Sequence, residues 1–353
     1  MSKIIKLTGE DLRHYEKGIK GYYLLTVRLE SINKLDEIID RIKEAIPCMK
    51  RNSENTIIEL VNKENMLIPN IKTNKDALNN IKITDYMYSY SYNIEKKELY
   101  LIYNHGVVDG INCFKILTTI LDKDPSIYDM DRIELTKKKM FLYSLKANPL
   151  NLLKYEYKKK QTTFLDIKSE PTAIEFIIDI NIIRGIKKKY NLSFNTAYCF
   201  YLLSIIDEEI RGVIITNIKY KESKNYNNYG IIPFKYEKGS TIKNLDSELK
   251  KNMIFSIISP VLFTLKNYLN KLYKNIDLVF SSIPLSKYNP DITLCGNKVT
   301  DLSLTIPYHS APVYIFSTRI GEKFKIMVST KYSKVEENFI NYLERNNLSY
   351  NIV

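Results

Sequence analysis

The amino-acid sequence predicts an α+β protein of two domains, and three observations carry that expectation. The chain has 353 residues, beyond the ordinary size of one domain, and 44% are apolar, enough for two cores. Stretches with a two-residue period are interspersed with stretches of helical period, without the regular βαβ alternation of a doubly wound sheet. Between the halves the character changes: Lys137-Lys138-Lys139 and Lys158-Lys159-Lys160 bracket a segment that contains Pro149 and few acidic side chains. The expected division is a first domain over 1–136, a Lys-rich connector over 137–170 and a second domain over 171–353.

The elements follow in order. Residues 22–29 alternate, with Tyr23, Leu25, Val27 and Leu29 on one face, as in a strand. A helix is expected next, capped by Asn33, with Asp36 and Glu37 in its first turn and Leu35, Ile38, Ile39 and Ile42 as its apolar stripe; Pro47 ends the segment. Residues 57–61 and 98–103 read as apolar strands, and 111–121 as a helix that groups Phe114, Leu117, Ile120 and Leu121. In the second half, 173–180 is a strand, a short helix follows, and 196–206 is an apolar helix. Residues 229–236 form a strand, and Ser240 is placed to cap a helix carrying Ile242, Leu245 and Leu249. Residues 277–282 are a buried type of strand, 313–320 and 324–330 flank a Gly321-Glu322-Lys323 turn as a hairpin, and 335–345 close the chain as a helix.

Composition narrows the chemistry. The four cysteines, Cys48, Cys113, Cys199 and Cys295, lie far apart among apolar neighbours, which argues against structural zinc; no metal site is expected. The N-terminus has no apolar run of signal-peptide length, and no stretch is long enough to span a bilayer, so a cytoplasmic setting is expected. The net charge of +13 is mostly scattered Lys, which suits several anionic partners and selects none; no DNA partner is expected. Walker, Gly-x-Gly-x-x-Gly and Gly-x-Ser-x-Gly patterns are missing, which disfavours nucleotide-loop and serine-hydrolase chemistry.

One short run carries chemistry: Asn104-His105-Gly106-Val107-Val108-Asp109-Gly110, placed where a strand gives way to a helix. His105 is one of three histidines, and Gly106 and Gly110 are two of only 11 glycines, so their coincidence in one turn calls for a reason. By spacing alone two readings stand. Either His105 is a proton-transferring side chain presented at a strand end, or it is a hydrogen-bonded loop histidine with Asp109 capping the next helix. His309, in Ile306-Pro307-Tyr308-His309-Ser310, and His14 read as incidental loop and helix-start histidines.

The run resembles the His-His-x-x-x-Asp-Gly signature of the acyltransferase superfamily that includes chloramphenicol acetyltransferase, peptide-synthetase condensation domains and wax ester synthases. Further segments match in the family's order. Ala45-Ile46-Pro47-Cys48-Met49-Lys50-Arg51 is similar to its Pro-x-Leu-Arg segment, and Leu192-Ser193-Phe194-Asn195-Thr196-Ala197 to its Thr-Val-Asn-Asp helix start. Asn228-Tyr229-Gly230-Ile231-Ile232-Pro233 resembles its Gly-Asn strand, and Phe280-Ser281-Ser282-Ile283-Pro284 its Ser-Asn-x-Pro-Gly segment.

The resemblance implies two chloramphenicol acetyltransferase-like subdomains, each a mixed sheet flanked by helices, with a channel between them. It implies an acyltransferase that holds no permanent cofactor. Such an enzyme takes an acyl group from acyl-CoA, or from an acyl chain on an acidic carrier protein, to a hydroxyl, amine or thiol of a small-molecule or lipid acceptor. His105 then occupies the position of the general base, Asp109 and Gly110 hold its turn, and Ser281 or Ser282 is the candidate donor to the oxyanion. The first histidine of the pair is Asn104, and the second domain's Ser-Asn is Ser281-Ser282. Those two departures keep a second class open, a binding protein that retains the fold without transferase activity. A nucleic-acid-binding protein is a third, and it requires one contiguous basic face with exposed aromatics.

Overall fold

The computed structural model describes residues 3–7, 21–53, 56–60, 66–68, 76, 86–107, 110–122, 133–136, 142, 167–220, 229–262, 276–282, 292–305, 311–320 and 323–352. In chain order these form β1 (Lys3–Lys6), β2 (Tyr22–Leu29), α1 (Leu35–Ala45), β3 (Met49–Ser53), β4 (Thr56–Glu59), β5 (Tyr88–Asn93), β6 (Glu98–Asn104), α2 (Gly110–Ile120) and β7 (Ile133–Leu135). There follow β8 (Ile167–Asp179), α3 (Ile180–Tyr190), α4 (Phe194–Ile206), β9 (Ile210–Tyr220), β10 (Tyr229–Tyr236), α5 (Ile242–Leu262) and β11 (Leu278–Ser282). The last are β12 (Thr293–Leu294), β13 (Asn297–Thr305), β14 (Val313–Ile320), β15 (Lys323–Tyr332), α6 (Ser333–Arg345) and β16 (Tyr350–Ile352). The chain divides into two compact units: residues 1–131 with 224–228 and 285–309, and residues 132–223 with 229–284 and 310–353. Residues 285–309, which the sequence reading places in the C-terminal half, thus belong with the first unit.

The first unit is organised on a five-stranded sheet in the order β12-β13-β2-β6-β5, with every ladder antiparallel. Strand β6 lies between β2 and β5 and is buried along its whole length, as its Glu-Leu-Tyr-Leu-Ile-Tyr-Asn composition demands. Its one acid, Glu98, is buried but satisfied: Arg28 donates from Nε at 3.1 Å and from Nη2 at 2.5 Å, and the Tyr100 hydroxyl donates at 2.7 Å. Burial and that bond to Glu98 push the Tyr100 phenol up from its ordinary value. Helix α1 buries Ile38 and Ile42 of the expected stripe, each contributing about 1.5–3 kcal/mol of transfer free energy. A separate three-stranded sheet runs β1-β4-β3.

The cap of α1 differs from expectation. Lys34, at φ 58°, precedes the helix without any side-chain cap, because Asn33 is engaged elsewhere. Its N–H donates to Asn297 Oδ1 at 2.8 Å, and its carbonyl accepts from Asn297 Nδ2 at 2.9 Å. Asn297 opens β13, so the residue expected to start a helix instead fastens a strand encoded more than 260 positions later.

That strand arrives through the β12–β13 hairpin, whose two turn residues both have positive φ, Cys295 at 48° and Gly296 at 78°. Asp122, just beyond α2, accepts both turn N–H groups at 2.8 Å, and Arg41 of α1 donates to the same carboxylate at 2.7 Å. Partial burial works to raise the Asp122 carboxyl, but the Gly296 N–H, Thr293, the Cys295 N–H and Arg41 together hold it below the usual range. A carboxylate depressed in the folded state stabilises fully above its unfolded pKa of about 3.9, and that stability is lost as pH falls through its lower folded value. Asp122→Asn is therefore expected to cost about 1–3 kcal/mol at neutral pH and to flatten the acid limb of the stability curve. Urea unfolding between pH 7 and pH 3 measures both effects. The same acid slope in variant and wild type would remove Asp122 from that role.

The second unit is built on a mixed sheet ordered β10-β9-β11-β14-β15-β8-β16, with β7 also pairing β9. Strand β11 runs parallel to both β9 and β14, and the β14–β15 hairpin forms as the sequence predicts. Helix α4 is the centre of its core: Ala197, Leu202, Leu203 and Ile206 are wholly buried against the sheet together with Phe234, Phe280 and Phe324. It starts two residues before the expected position, because Ser193 caps it by accepting the Thr196 N–H at 3.0 Å. Helix α5 likewise takes Thr241 as its cap, the hydroxyl accepting the Asn244 N–H at 3.3 Å, in place of Ser240. Strand β8 begins at Ile167, inside the expected connector, and the sequence reading contains no strand at β1, β3, β5, β7, β9, β12, β13 or β16.

Candidate functional site

Strand β6 delivers His105 to its position. Register pairs Tyr22 with Asn104 and Tyr23 with Tyr103 across β2 and β6, and Tyr88 with Tyr103 across β5. The His105 N–H donates to the Gly21 carbonyl at 2.7 Å, extending that ladder by one residue before the chain turns away. The turn itself is closed by Asn104: its Oδ1 accepts the Gly106 N–H at 2.8 Å, and its carbonyl accepts the Val107 N–H at 3.1 Å. The Tyr88 hydroxyl donates to the Val107 carbonyl at 3.3 Å, tying the far side of the turn to β5.

Every backbone N–H of residues 104–107 is thus bonded, while the imidazole is half-buried. It meets the ring of Tyr23 in a near-perpendicular contact, centroids 4.7 Å apart at 84°, and Tyr23 in turn packs edge-on to Tyr103 at 5.9 Å. This aromatic support was not expected from the sequence, although the alternation that puts Tyr23 on one face of β2 contains it. Gly110 stands at the first residue of α2. Asp109 lies outside the described residues, as do His14 and His309.

In the second unit, β11 ends in Ser281 and Ser282. Ser281 pairs with Phe316 of β14 and Ser282 with Ser317. Alternation along β11 sets Ser281 on the face of Val279, opposite the Phe280 face that packs on Tyr198 of α4 with rings 6.0 Å apart. The Ser281 hydroxyl therefore lies off the α4-packed core, and Ser281 is half-buried. Tyr198 and Ser317 are both buried, and burial raises the Tyr198 phenol.

Among the described residues no cluster of three His, Cys, Asp or Glu side chains could hold a metal ion, and no helix is long and apolar enough to cross a membrane. All four cysteines are buried thiols. Burial pushes the Cys295 thiol up to about 11, so none of its chemistry is that of a thiolate at neutral pH.

No family model and no curated protein matches the chain in sequence. Solved structures do match it in shape, from end to end. TRI101 of F. graminearum, solved with coenzyme A and deoxynivalenol, superposes with a TM-score of 0.62 at 12% identity, covering 99% of both chains. The wax ester synthase/diacylglycerol acyltransferase of Marinobacter aquaeolei VT8 gives 0.54 at 11% identity over 97% of both chains. The condensation domain of the Monacolin K polyketide synthase MokA gives 0.59 at 8% identity, over 96% of this chain and 95% of its own. The chain therefore has the two-subdomain α+β fold of the condensation domains and chloramphenicol acetyltransferase-like acyltransferases, the fold its ordered motifs imply.

Proposed function

We propose that the protein is an acyltransferase that moves an acyl group from a thioester of coenzyme A or of a carrier protein to a hydroxyl, amine or thiol acceptor. The observation that carries this reading is His105. It is a half-buried imidazole at the end of a fully buried strand, on a turn whose backbone N–H groups are all bonded, in a fold shared with acyltransferases. A side chain whose only task is packing does not need so constrained a support.

In the proposed step the acceptor heteroatom attacks the thioester carbonyl carbon while His105 takes its proton. Histidine suits that role because its ordinary pKa lies near neutrality. The C–S bond of the resulting tetrahedral oxyanion then breaks, and the leaving thiolate takes the proton from the imidazolium, so that acceptor ester, amide or thioester and free thiol are the products. Ser281, whose hydroxyl lies off the α4-packed core, or Ser282 is the candidate donor to the oxyanion; Asp109 and Gly110 serve the turn rather than the chemistry. No permanent cofactor is required, and the setting proposed is cytoplasmic. The net charge of +13 suits an anionic donor, whether the phosphates of coenzyme A or an acidic carrier.

Thiol release from a panel of acyl-CoA donors, with pooled alcohols and amines as acceptors, tests the reading. Release and acylated product that depend on His105 support it; transfer that survives His105→Ala refutes the assigned base.

A further inference from the structure

We infer that Asn104 is the positioning residue for His105, an assignment that rests on His105 being the proposed base. Asn104 is wholly buried at the end of β6, with its N–H given to the Met87 carbonyl at 2.8 Å. Its Oδ1 and its own carbonyl accept from Gly106 and Val107, the first two N–H groups after His105. His105 is consequently the middle residue of an Asx turn laid over a backbone turn, which sets the direction in which its Cα–Cβ bond leaves the chain and brings the ring against Tyr23.

The other half of the same amide argues that this is selected geometry rather than incidental packing. Among the described residues Asn104 Nδ2 is buried with no hydrogen-bond partner. A buried donor left unsatisfied is a stability cost that an apolar side chain at this position would not carry. A fold that tolerates it keeps the residue for its oxygen. Alanine at 104 removes the unsatisfied donor and orphans the Gly106 N–H, two penalties of similar kind and opposite sign, so stability and positioning separate cleanly in that variant.

The ring current of Tyr23 supplies a readout independent of turnover. In the labelled full-length protein, three histidines give three imidazole Cε1–Hε1 signals, and His105→Gln identifies the one that belongs to His105. That signal is expected to be displaced from its position in denatured protein, and Tyr23→Leu should collapse the displacement. Asn104→Ala should collapse at least half of it while leaving Tm within about 3 °C of wild type. Asn104→Ser should retain it, because a serine hydroxyl can accept the same N–H. Should the alanine variant fail to fold, Asn104→Gln replaces it, since the added methylene carries the oxygen past Gly106.

With acetyl-CoA and the acceptor panel, Asn104→Ala should lower kcat about tenfold to a hundredfold while KM moves less than about twofold, and Asn104→Ser should recover most of that loss. A displacement retained in the alanine or glutamine variant overturns the assignment. If wild type transfers no acyl group but the displacement follows the acceptor at 104, the acyl-transfer reading fails and the positioning of His105 by Asn104 stands.

Discussion

His105→Ala is expected to lower acyl transfer by about two to four orders of magnitude, the contribution of a general base placed in contact with the attacking atom. The loss should fall on kcat, since the imidazole acts on a proton that moves only in the transition state. Stability should change far less than activity, because alanine keeps the backbone N–H to Gly21 and gives up a half-buried ring packed on Tyr23. Alanine also leaves the Asn104 bonds to Gly106 and Val107 in place. Measured together, a thiol-release assay and a thermal melt decide the matter. A variant that melts with wild type but releases no thiol has lost chemistry, whereas one that retains more than a tenth of wild-type turnover has not lost its base.

The largest effects on stability are expected at the pair Gly212 and Phe234. Gly212 sits on β9 directly opposite Phe234 of β10, and a Cβ there would lie 2.3 Å from Phe234 Cζ and 2.6 Å from Cε1. Phe234 is wholly buried in the main core of the second unit, so its ring cannot swing outward. Gly212→Ala must shift either the ring or the strand, and overpacking of this kind costs about 1–3 kcal/mol. Phe234→Ala should cost about 3–5 kcal/mol through the cavity it opens. The double variant should cost distinctly less than the two added together, since the smaller side chain frees the space the alanine needs. Urea midpoints for the four proteins complete the cycle. Additive costs, or a Gly212→Ala midpoint equal to wild type, would mean the ring yields freely.

Elements with strong local patterns were legible in the sequence. Strand β6, α1, the β14–β15 hairpin and α6 announce themselves through alternation or a stripe of apolar side chains, and the ordered motifs foretold the two-subdomain fold. The strands that were missed have their determinants elsewhere. Strand β13 reads Asn-Lys-Val-Thr-Asp-Leu-Ser-Leu-Thr, with too many polar residues to stand out, and becomes a strand because β2 offers it an edge. Strand β5 is a Tyr-Ser repeat with too little apolar alternation to stand out, and it becomes a strand with buried serines through its pairing with β6 and its place in the fold. At the site, His105 was visible as a rare residue in a glycine-flanked turn. Asn104 registered only as a missing histidine, and its bond to Gly106 lies in the side chain's reach rather than in any spacing. Asn33 and Ser240 show the same limit from the other side. Each is a good cap by type, yet the helix begins one residue later in both cases, with the Asn33 backbone held by Asn297 and Thr241 capping α5 in place of Ser240.

The route of the chain through the β12–β13 hairpin bears on how the protein is made. The ribosome releases residues in order, and β2 gains its outer partner only once residue 305 has emerged. Some 180 residues separate that point from Asp122, roughly 10–40 s at synthesis rates of about 5–20 residues per second. Throughout that interval the nascent first unit presents β2 as an open edge, a surface that pairs readily with other nascent chains. Strands β7 to β11 of the second unit emerge in the same interval, but β14, β15 and β16, which complete that unit's sheet, follow β13. The amino-terminal half, although it is made first and carries His105, therefore cannot close its sheet until most of the chain has been synthesised, and its yield in the cell should depend on what shields that edge while it waits.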